Sequence, residues 1–226
     1  MQLQERHFAI LRRHMVEVIE IWTELSAEEL GRDRLEARVL EAMGRVPRHR
    51  FVPEVLQPFA YNNSPLPIGF DKTISQPFIV AVMTDLLELR PGDRVLEVGT
   101  GLGYHAAVLA ELVAEVYSVE IIEELAAEAE SRLRELGVCN VRIRIGDGTL
   151  GWPEFAPFER ILVTAGAERI PPALLEQLVP GGRMVLPLGR PDDQRLAVVV
   201  KAEDGSGRVE VREVMPVRFT ELEVVR

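Results

Sequence analysis

Cysteine is nearly missing. Cys139 is the single one in 226 residues, which leaves no material for a disulfide framework or a multi-thiolate metal site. Histidine is scarce too, with 4 in the chain; His7 and His14 stand seven apart and read as surface or packing residues, so no metal is expected. Positive charge is in deficit. With 26 Lys+Arg against 36 Asp+Glu the net charge is -10, which argues against non-specific binding to nucleic acid or anionic lipid. No apolar run is long enough to span a bilayer and no N-terminal stretch has signal-peptide character, so a cytoplasmic location without membrane contact is expected. Repeats and low-complexity tracts are missing as well. The length falls in the range of one domain and suffices for a sizeable core.

What the chain does have is glycine in one telling place. Val95-Leu96-Glu97-Val98 reads as a buried strand, and Gly99, Gly101 and Gly103 follow it at alternate positions. A helix is expected from Tyr104 to Val113, its free amide groups pointing at whatever lies above the loop. A dinucleotide-binding loop wants its third glycine where Tyr104 stands, and a phosphate-binding loop wants a Lys that does not follow. The pattern E-x-G-x-G-x-G instead resembles the first motif of class I S-adenosylmethionine-dependent methyltransferases. A second strand, Glu115 to Val119, ends at Glu120, about twenty residues beyond the first glycine, where such folds place an acid that accepts from ribose hydroxyls. Val141 to Ile145 alternates as a third strand and ends at Gly146-Asp147-Gly148, an acidic turn on the same edge.

In chain order, Phe8, Leu11, Met15, Val18 and Trp22 form one stripe of an amphipathic helix, expected to lie on the domain rather than to make a dimer seam. A second helix is expected with Asp33 as its cap, Glu36 at the capping-box position and an end near Gly44. Arg45, Arg48, His49 and Arg50 make a basic patch, which either steers an acidic substrate or is simply solvated. Pro77 in a first turn places Ser75 or Gln76 at the cap of the next helix. Downstream come a charged helix from Glu123 to Leu136, a buried strand from Arg160 to Ala165, a short helix from Pro172 and a turn at Gly181-Gly182. Two further strands, Leu196 to Lys201 and Arg208 to Val217, read as an antiparallel hairpin at the sheet edge. Trp152, Phe155 and Phe158 are expected as lid or packing residues.

Several stretches in order resemble the protein-L-isoaspartate (D-aspartate) O-methyltransferase family: Arg48-His49-x-Phe51-Val52-Pro53, Leu66-Pro67-Ile68-Gly69, Thr73-Ile74-Ser75-Gln76-Pro77, the Gly99 to Gly103 loop, Ile161 to Ala165, and Gly181-Gly182-Arg183-Met184-Val185-Leu186-Pro187. The Thr-Ile-Ser-Gln-Pro stretch is the more family-specific part, since many methyltransferases share the glycine loop. The resemblance implies a Rossmann-like α/β fold with a mostly parallel, doubly wound sheet, a C-terminal antiparallel edge and N-terminal helices. It also implies one methyltransferase domain over residues 1–226, with helices and a substrate-side loop in 1–75 and the cofactor core in 76–226.

The implied activity is transfer of a methyl group from S-adenosyl-L-methionine, leaving S-adenosyl-L-homocysteine, to the α-carboxylate of isoaspartyl or D-aspartyl residues in damaged proteins. The resulting ester closes to a succinimide, whose hydrolysis restores some normal linkage. By the resemblance Ser75 is the active-site hydroxyl, and Thr73 and Gln76 shape the same loop beside the cofactor. Gly99, Thr100, Gly101 and Gly103 face the methionine and ribose end, Glu120 with Ile121 the ribose, and Asp147 with Gly148 the adenine. Glu97 orders the loop, and Tyr104 and His105 belong to the cofactor shell. A monomer without metal is expected.

Some positions depart from the family pattern: Asp71-Lys72-Thr73 where Gly-Gln-Thr is frequent, Leu102 and His105 where Ser and Gln are, and Thr220-Glu221-Leu222 in place of an apolar end that borders the peptide. Two alternatives stay open at this level. One is a methyltransferase of the same fold acting on another carboxylate or a particular peptide; the other is a non-catalytic S-adenosylmethionine-binding protein.

Overall fold

The computed structural model describes residues 2–224. It begins with α1 (Gln2–Leu25), the one-turn α2 (Ala27–Leu30) and α3 (Ala37–Arg45). The buried side of α1 is Phe8, Met15, Ile19 and Thr23, whereas Trp22 is 44% exposed. The stripe is thus rotated from the one expected: Ile19 and Thr23 continue it and Trp22 sits on its flank. Asp33 does not cap α3. Glu36 occupies that position without a side-chain cap, and its N–H donates to Asp85 Oδ1 at 2.6 Å.

Asp85 belongs to α4 (Pro77–Leu86). It also accepts from Arg32 at 2.7 Å, and burial pushes its carboxyl above the usual range. One carboxylate therefore fastens the N-terminal helices to the core. Asp85→Ala is expected to lower the unfolding free energy by about 2 kcal/mol, the usual worth of a hydrogen bond to a charged group, as read by urea titration. Ser75 and Gln76 do not cap α4 with their side chains either; Asn63 Oδ1 accepts the Phe78 N–H at 3.0 Å from across the preceding loop. Between the two helices lies a small hairpin, β1 (Leu66–Gly69) and β2 (Lys72–Ile74), where only a turn-rich lead-in was expected.

The remaining elements build one sheet. The strand β3 (Arg94–Val98) leads into α5 (Tyr104–Ala110), β4 (Glu115–Glu120) into α6 (Glu123–Glu135), then β5 (Val141–Ile145) and β6 (Phe158–Val163). The short α7 (Pro172–Glu176) precedes β7 (Leu178–Arg190), β8 (Asp193–Lys201) and β9 (Val209–Val217). Strand order is β5-β4-β3-β6-β7-β8-β9. The first five are parallel, and β7, β8 and β9 are antiparallel. This is the Rossmann-like α/β architecture with an antiparallel edge. Gly181-Gly182 is not a turn before a strand: β7 runs through both, with a register shift where it meets β6.

The chain passes from β3 outward through β4 to β5 and then returns to the other side of β3, so strand order reverses beside β3. Ligand crevices in open α/β sheets form at that point, outside the carboxyl ends of the strands. Apolar layers on the two faces hold the sheet. One joins Met15, Phe51 and Phe78 to Leu109 and Val185. The other contains Leu96, Met184 and Phe158, and here Trp152, Phe155 and Phe158 pack their rings against Tyr117 at 5.7, 4.6 and 5.5 Å.

Candidate active site

At the end of β3 the backbone turns through left-handed conformations at Gly99, Gly101 and Gly103 (φ 96, 55 and 92°). Close approach also requires glycine: a Cβ on Gly99 would overlap Thr164 Oγ1, and one on Gly148 would overlap Val98. Gly103 answers a different demand. Its Cβ would meet Ala129 and Leu133 of α6 at 3.3 and 3.4 Å, so the residue lets α5 pack there. Glu120, at the end of β4, accepts from Gly101 N at 2.8 Å and from Ile122 N at 3.0 Å. It ties the glycine loop to the start of α6.

Beneath the loop a buried relay runs from Thr100 to Ser118 (2.6 Å) and from the Ser118 hydroxyl to Glu97 Oε2 (2.5 Å). Among the described residues Glu97 Oε1 has no hydrogen-bond partner. Burial pushes the Glu97 carboxyl up to about 8; the Ser118 hydrogen bond opposes the rise and Glu120 adds to it.

Three adjoining cavities meet at the carboxyl end of the sheet. The first encloses about 600 Å³ including its mouth, between Gly99, Gly101, Glu120, Ile121 and Gly148 on one side and Thr220–Glu223 on the other. The second, about 1830 Å³ and open to solvent, is bordered by Ser75, Gln76, Phe78 and residues 215–221. A small third one lies between Ser75, Thr100, Tyr104 and His105. Thr73 and Thr164 line all three. Of the residues singled out in the sequence, Glu97, Gly103 and Asp147 line none of them. Asp147 Oδ1 accepts from Thr149 N and Oγ1, opening a tight turn that brings Gly148 to the first cavity.

Ser75 is held through its backbone. The Arg48 guanidinium, wholly buried, donates from Nη2 to Ser75 O at 2.7 Å and from Nε to Ala60 O at 2.8 Å, and stacks 4.8 Å from the Tyr104 ring centre. Burial lowers its pKa to about 10, so it remains charged at neutral pH. Tyr104 points its hydroxyl at Met43 Sδ, 3.6 Å away. His105 Nε2 lies 2.9 Å from Thr84 Oγ1, whose own proton goes to Val80 O at 2.7 Å, so the ring donates. Burial holds the imidazole down to about 3. His105 is neutral throughout the physiological range.

Steering by the basic patch does not survive. Arg48 and His49 are buried, Arg45 pairs with Glu111 at 2.6 Å and Arg50 with Glu135 at 2.8 Å. The altered positions near the site are also accounted for. Phe70 and Asp71 take left-handed conformations (φ 53 and 55°) in the hairpin turn, and Lys72 forms an ion pair with Glu223. The segment after β9 is fastened by backbone bonds between Gly166 and Thr220 and between Leu222 and Gly166, both 2.8 Å. The buried Gln194 amide accepts from Phe219 N at 2.6 Å and donates to its carbonyl at 3.2 Å.

Thr164 and Gln194 were not picked out as site residues from sequence. Thr164 had a signal, since it follows a buried strand on the same sheet edge as Gly99 and Glu120. Gln194 had none, because its partner lies 25 residues further along the chain.

Comparison with known proteins identifies the family and the fold. A family model described as protein-L-isoaspartate(D-aspartate) O-methyltransferase matches residues 24–224. A Polaromonas sp. (strain JS666) protein named protein-L-isoaspartate O-methyltransferase 1 is 55% identical over 98% of this chain and 93% of its own length. A Nitrosospira multiformis protein of the same name is 59% identical over 82% of this chain and 78% of its own. Among solved structures, one named protein-L-isoaspartate O-methyltransferase superposes with a TM-score of 0.79 at 27% identity; it covers 93% of this chain, which spans 65% of that one. A Plasmodium falciparum beta-aspartate methyltransferase structure (TM-score 0.77, 21% identity, 94% of this chain and 98% of that one) shares the fold. With Gly99, Gly101 and Glu120 lining one cavity and Ser75 the adjoining ones, the chain belongs to the protein-L-isoaspartate (D-aspartate) O-methyltransferase family.

Proposed function

We propose that this chain moves a methyl group from S-adenosyl-L-methionine to the α-carboxylate of isoaspartyl, and D-aspartyl, residues in damaged proteins, acting as a cytoplasmic monomer. The observation that carries this reading is the shared wall. A glycine-lined cavity and a larger open one meet at Thr73 and Thr164, with Ser75 on the open side. Donor and acceptor can thereby lie next to each other.

The first cavity suits the cofactor. Gly99 and Gly148 line it where a Cβ would collide with Thr164 and Val98, and Glu120 brings a carboxylate whose remaining lone pairs suit ribose hydroxyls. Ile121 flanks that end, and Gly148, set by Asp147, borders the adenine side. Thr73 and Gly101 complete the methionine side, and Thr100 and Gln76 line the adjoining cavities. When bound, the cofactor supplies a sulfonium-activated methyl group. Among the described residues no group of three or more His, Cys, Asp or Glu is placed to hold a metal ion.

Ser75 donates its hydroxyl to the acceptor carboxylate and fixes its direction. The acceptor is ionised at neutral pH, so the transfer requires no strong base, and His105, being neutral and engaged with Thr84, is not asked to be one. Alignment is the main contribution of the chain; in the best intramolecular cases orientation supplies roughly 7 to 11 kcal/mol.

The test is transfer of labelled methyl to a synthetic isoaspartyl peptide beside its aspartyl twin. Selective labelling of the isoaspartyl form is expected, and equal labelling or none would remove the reading. Ser75→Ala is expected to slow turnover about tenfold, the worth of one hydrogen bond to a charged group near 1.5 kcal/mol, with cofactor affinity nearly intact by calorimetry. Unchanged turnover would take Ser75 out of the mechanism.

A further inference from the structure

Helix α1 falls almost entirely outside the residues 24–224 that the family model matches. Even so, it reaches the acceptor side of the site through one residue, Trp22. The indole is not a core residue. The inner face of α1 is Phe8, Met15, Ile19 and Thr23, all buried, while Trp22 keeps 44% of its surface exposed on the helix flank. There its ring leans on Phe78 of α4, with centroids 5.9 Å apart at 45°. Phe78 is itself only 1% exposed, so the indole rests on a rigid base.

The same open cavity holds Trp22 at one wall and Ser75 at another. Its charged lining residues are Arg218 and Glu221, which sit together on the segment after β9. The rest of the described lining is apolar or uncharged, including Pro65, Ile79, Met215 and Val217. A chain whose isoaspartyl carboxylate lies at Ser75 would have Trp22 on the lining of the same cavity.

We infer that Trp22 forms a subsite for an apolar side chain flanking the isoaspartyl residue of the acceptor, so that α1 sets peptide preference. This rests on the acceptor reading given above. An aromatic ring suits the task because it offers a large apolar face with few rotatable bonds to immobilise. Continuity with the Ser75 end selects the acceptor polypeptide, rather than a separate ligand, as the occupant.

The experiment uses the whole chain and two isoaspartyl peptides that differ only in the flanking residues, Leu in one and Glu in the other. For the wild type the Leu peptide is expected to show the lower KM. In Trp22→Ala its KM rises roughly tenfold, the low end of what an apolar pocket contributes to discrimination, so the KM ratio between the peptides collapses. Trp22→Phe restores most of the preference. Cofactor affinity, measured by calorimetry, reports on folding, and Trp22→Gln gives the same comparison if alanine loosens the helix. A ratio unchanged in the variants, or no preference in the wild type, overturns the inference while leaving methyl transfer intact. A wild type that methylates neither peptide overturns the acceptor reading and this inference together.

Discussion

Glu120→Ala is expected to raise the dissociation constant for S-adenosyl-L-methionine about 100-fold or more, measured by calorimetry. The reason is that Glu120 does two things at once. Its Oε2 accepts from Gly101 N and its Oε1 from Ile122 N, so the carboxylate holds the glycine loop in its left-handed turn and starts α6 while facing the cavity. Hydrogen bonds to a charged group contribute roughly 1.5 to 3 kcal/mol each. Losing the proposed ribose contact and the loop's anchor together makes about 3 kcal/mol a lower bound, and about 1.4 kcal/mol is a factor of ten in affinity. Glu120→Gln keeps the shape but turns one acceptor into a donor facing an N–H, so it should fall near the alanine variant rather than near the wild type. An unaltered dissociation constant in Glu120→Ala refutes the role.

Replacing Glu97 by Gln is expected to alter how stability depends on pH. In the folded protein burial pushes the Glu97 carboxyl from an ordinary 4.5 up to about 8. Between those values the native state keeps a proton that the unfolded chain has lost. The stability this proton contributes is complete below about 4.5 and is lost as pH rises through about 8. A tenfold change in proton affinity corresponds to about 1.4 kcal/mol, so the whole window is worth a few kcal/mol. Glu97→Gln has no proton to lose there and can still accept from Ser118. The free-energy gap between variant and wild type should therefore move in favour of the variant as pH rises from about 5 to 8. Urea titrations across that range check it, and a gap that stays constant would mean Glu97 ionises normally.

Both residues were legible in the sequence, Glu97 as the acid inside the glycine pattern and Glu120 as the acid ending the next strand. Their roles were legible to different degrees. The placement of Glu120 at the strand end already suggested a contact at the cavity. Glu97 was expected to order the loop, but only the structure shows that it acts through Ser118 on the neighbouring strand and reaches Thr100 by two hydrogen bonds. The hairpin at residues 66–74 was not foreseen because Pro67 to Pro77 read only as a lead-in to the next helix, while the pairing of Leu66 with Ile74 depends on a partner across the turn. The expected caps failed for a similar reason. Asp33 has the chemistry of a cap, but Asp85 reaches the helix start with a buried charge and takes the place.

By itself the sequence determined the parts whose requirements are local. Glycines at 99 and 101 answer a demand for positive φ and missing Cβ atoms, alternating apolar residues answer the pleat of a strand, and a three-to-four spacing answers the helix. Tertiary structure decided everything that depends on a distant partner. Asp85 finds Glu36 across 49 residues, Arg48 finds the Ser75 carbonyl across 27, and Asn63 caps α4 across 15. Trp22, read as part of a buried stripe, became a cavity wall because α1 is rotated to bury Ile19 and Thr23 instead. Such contacts are set by which surfaces meet when the layers pack, and a spacing along the chain carries no trace of them.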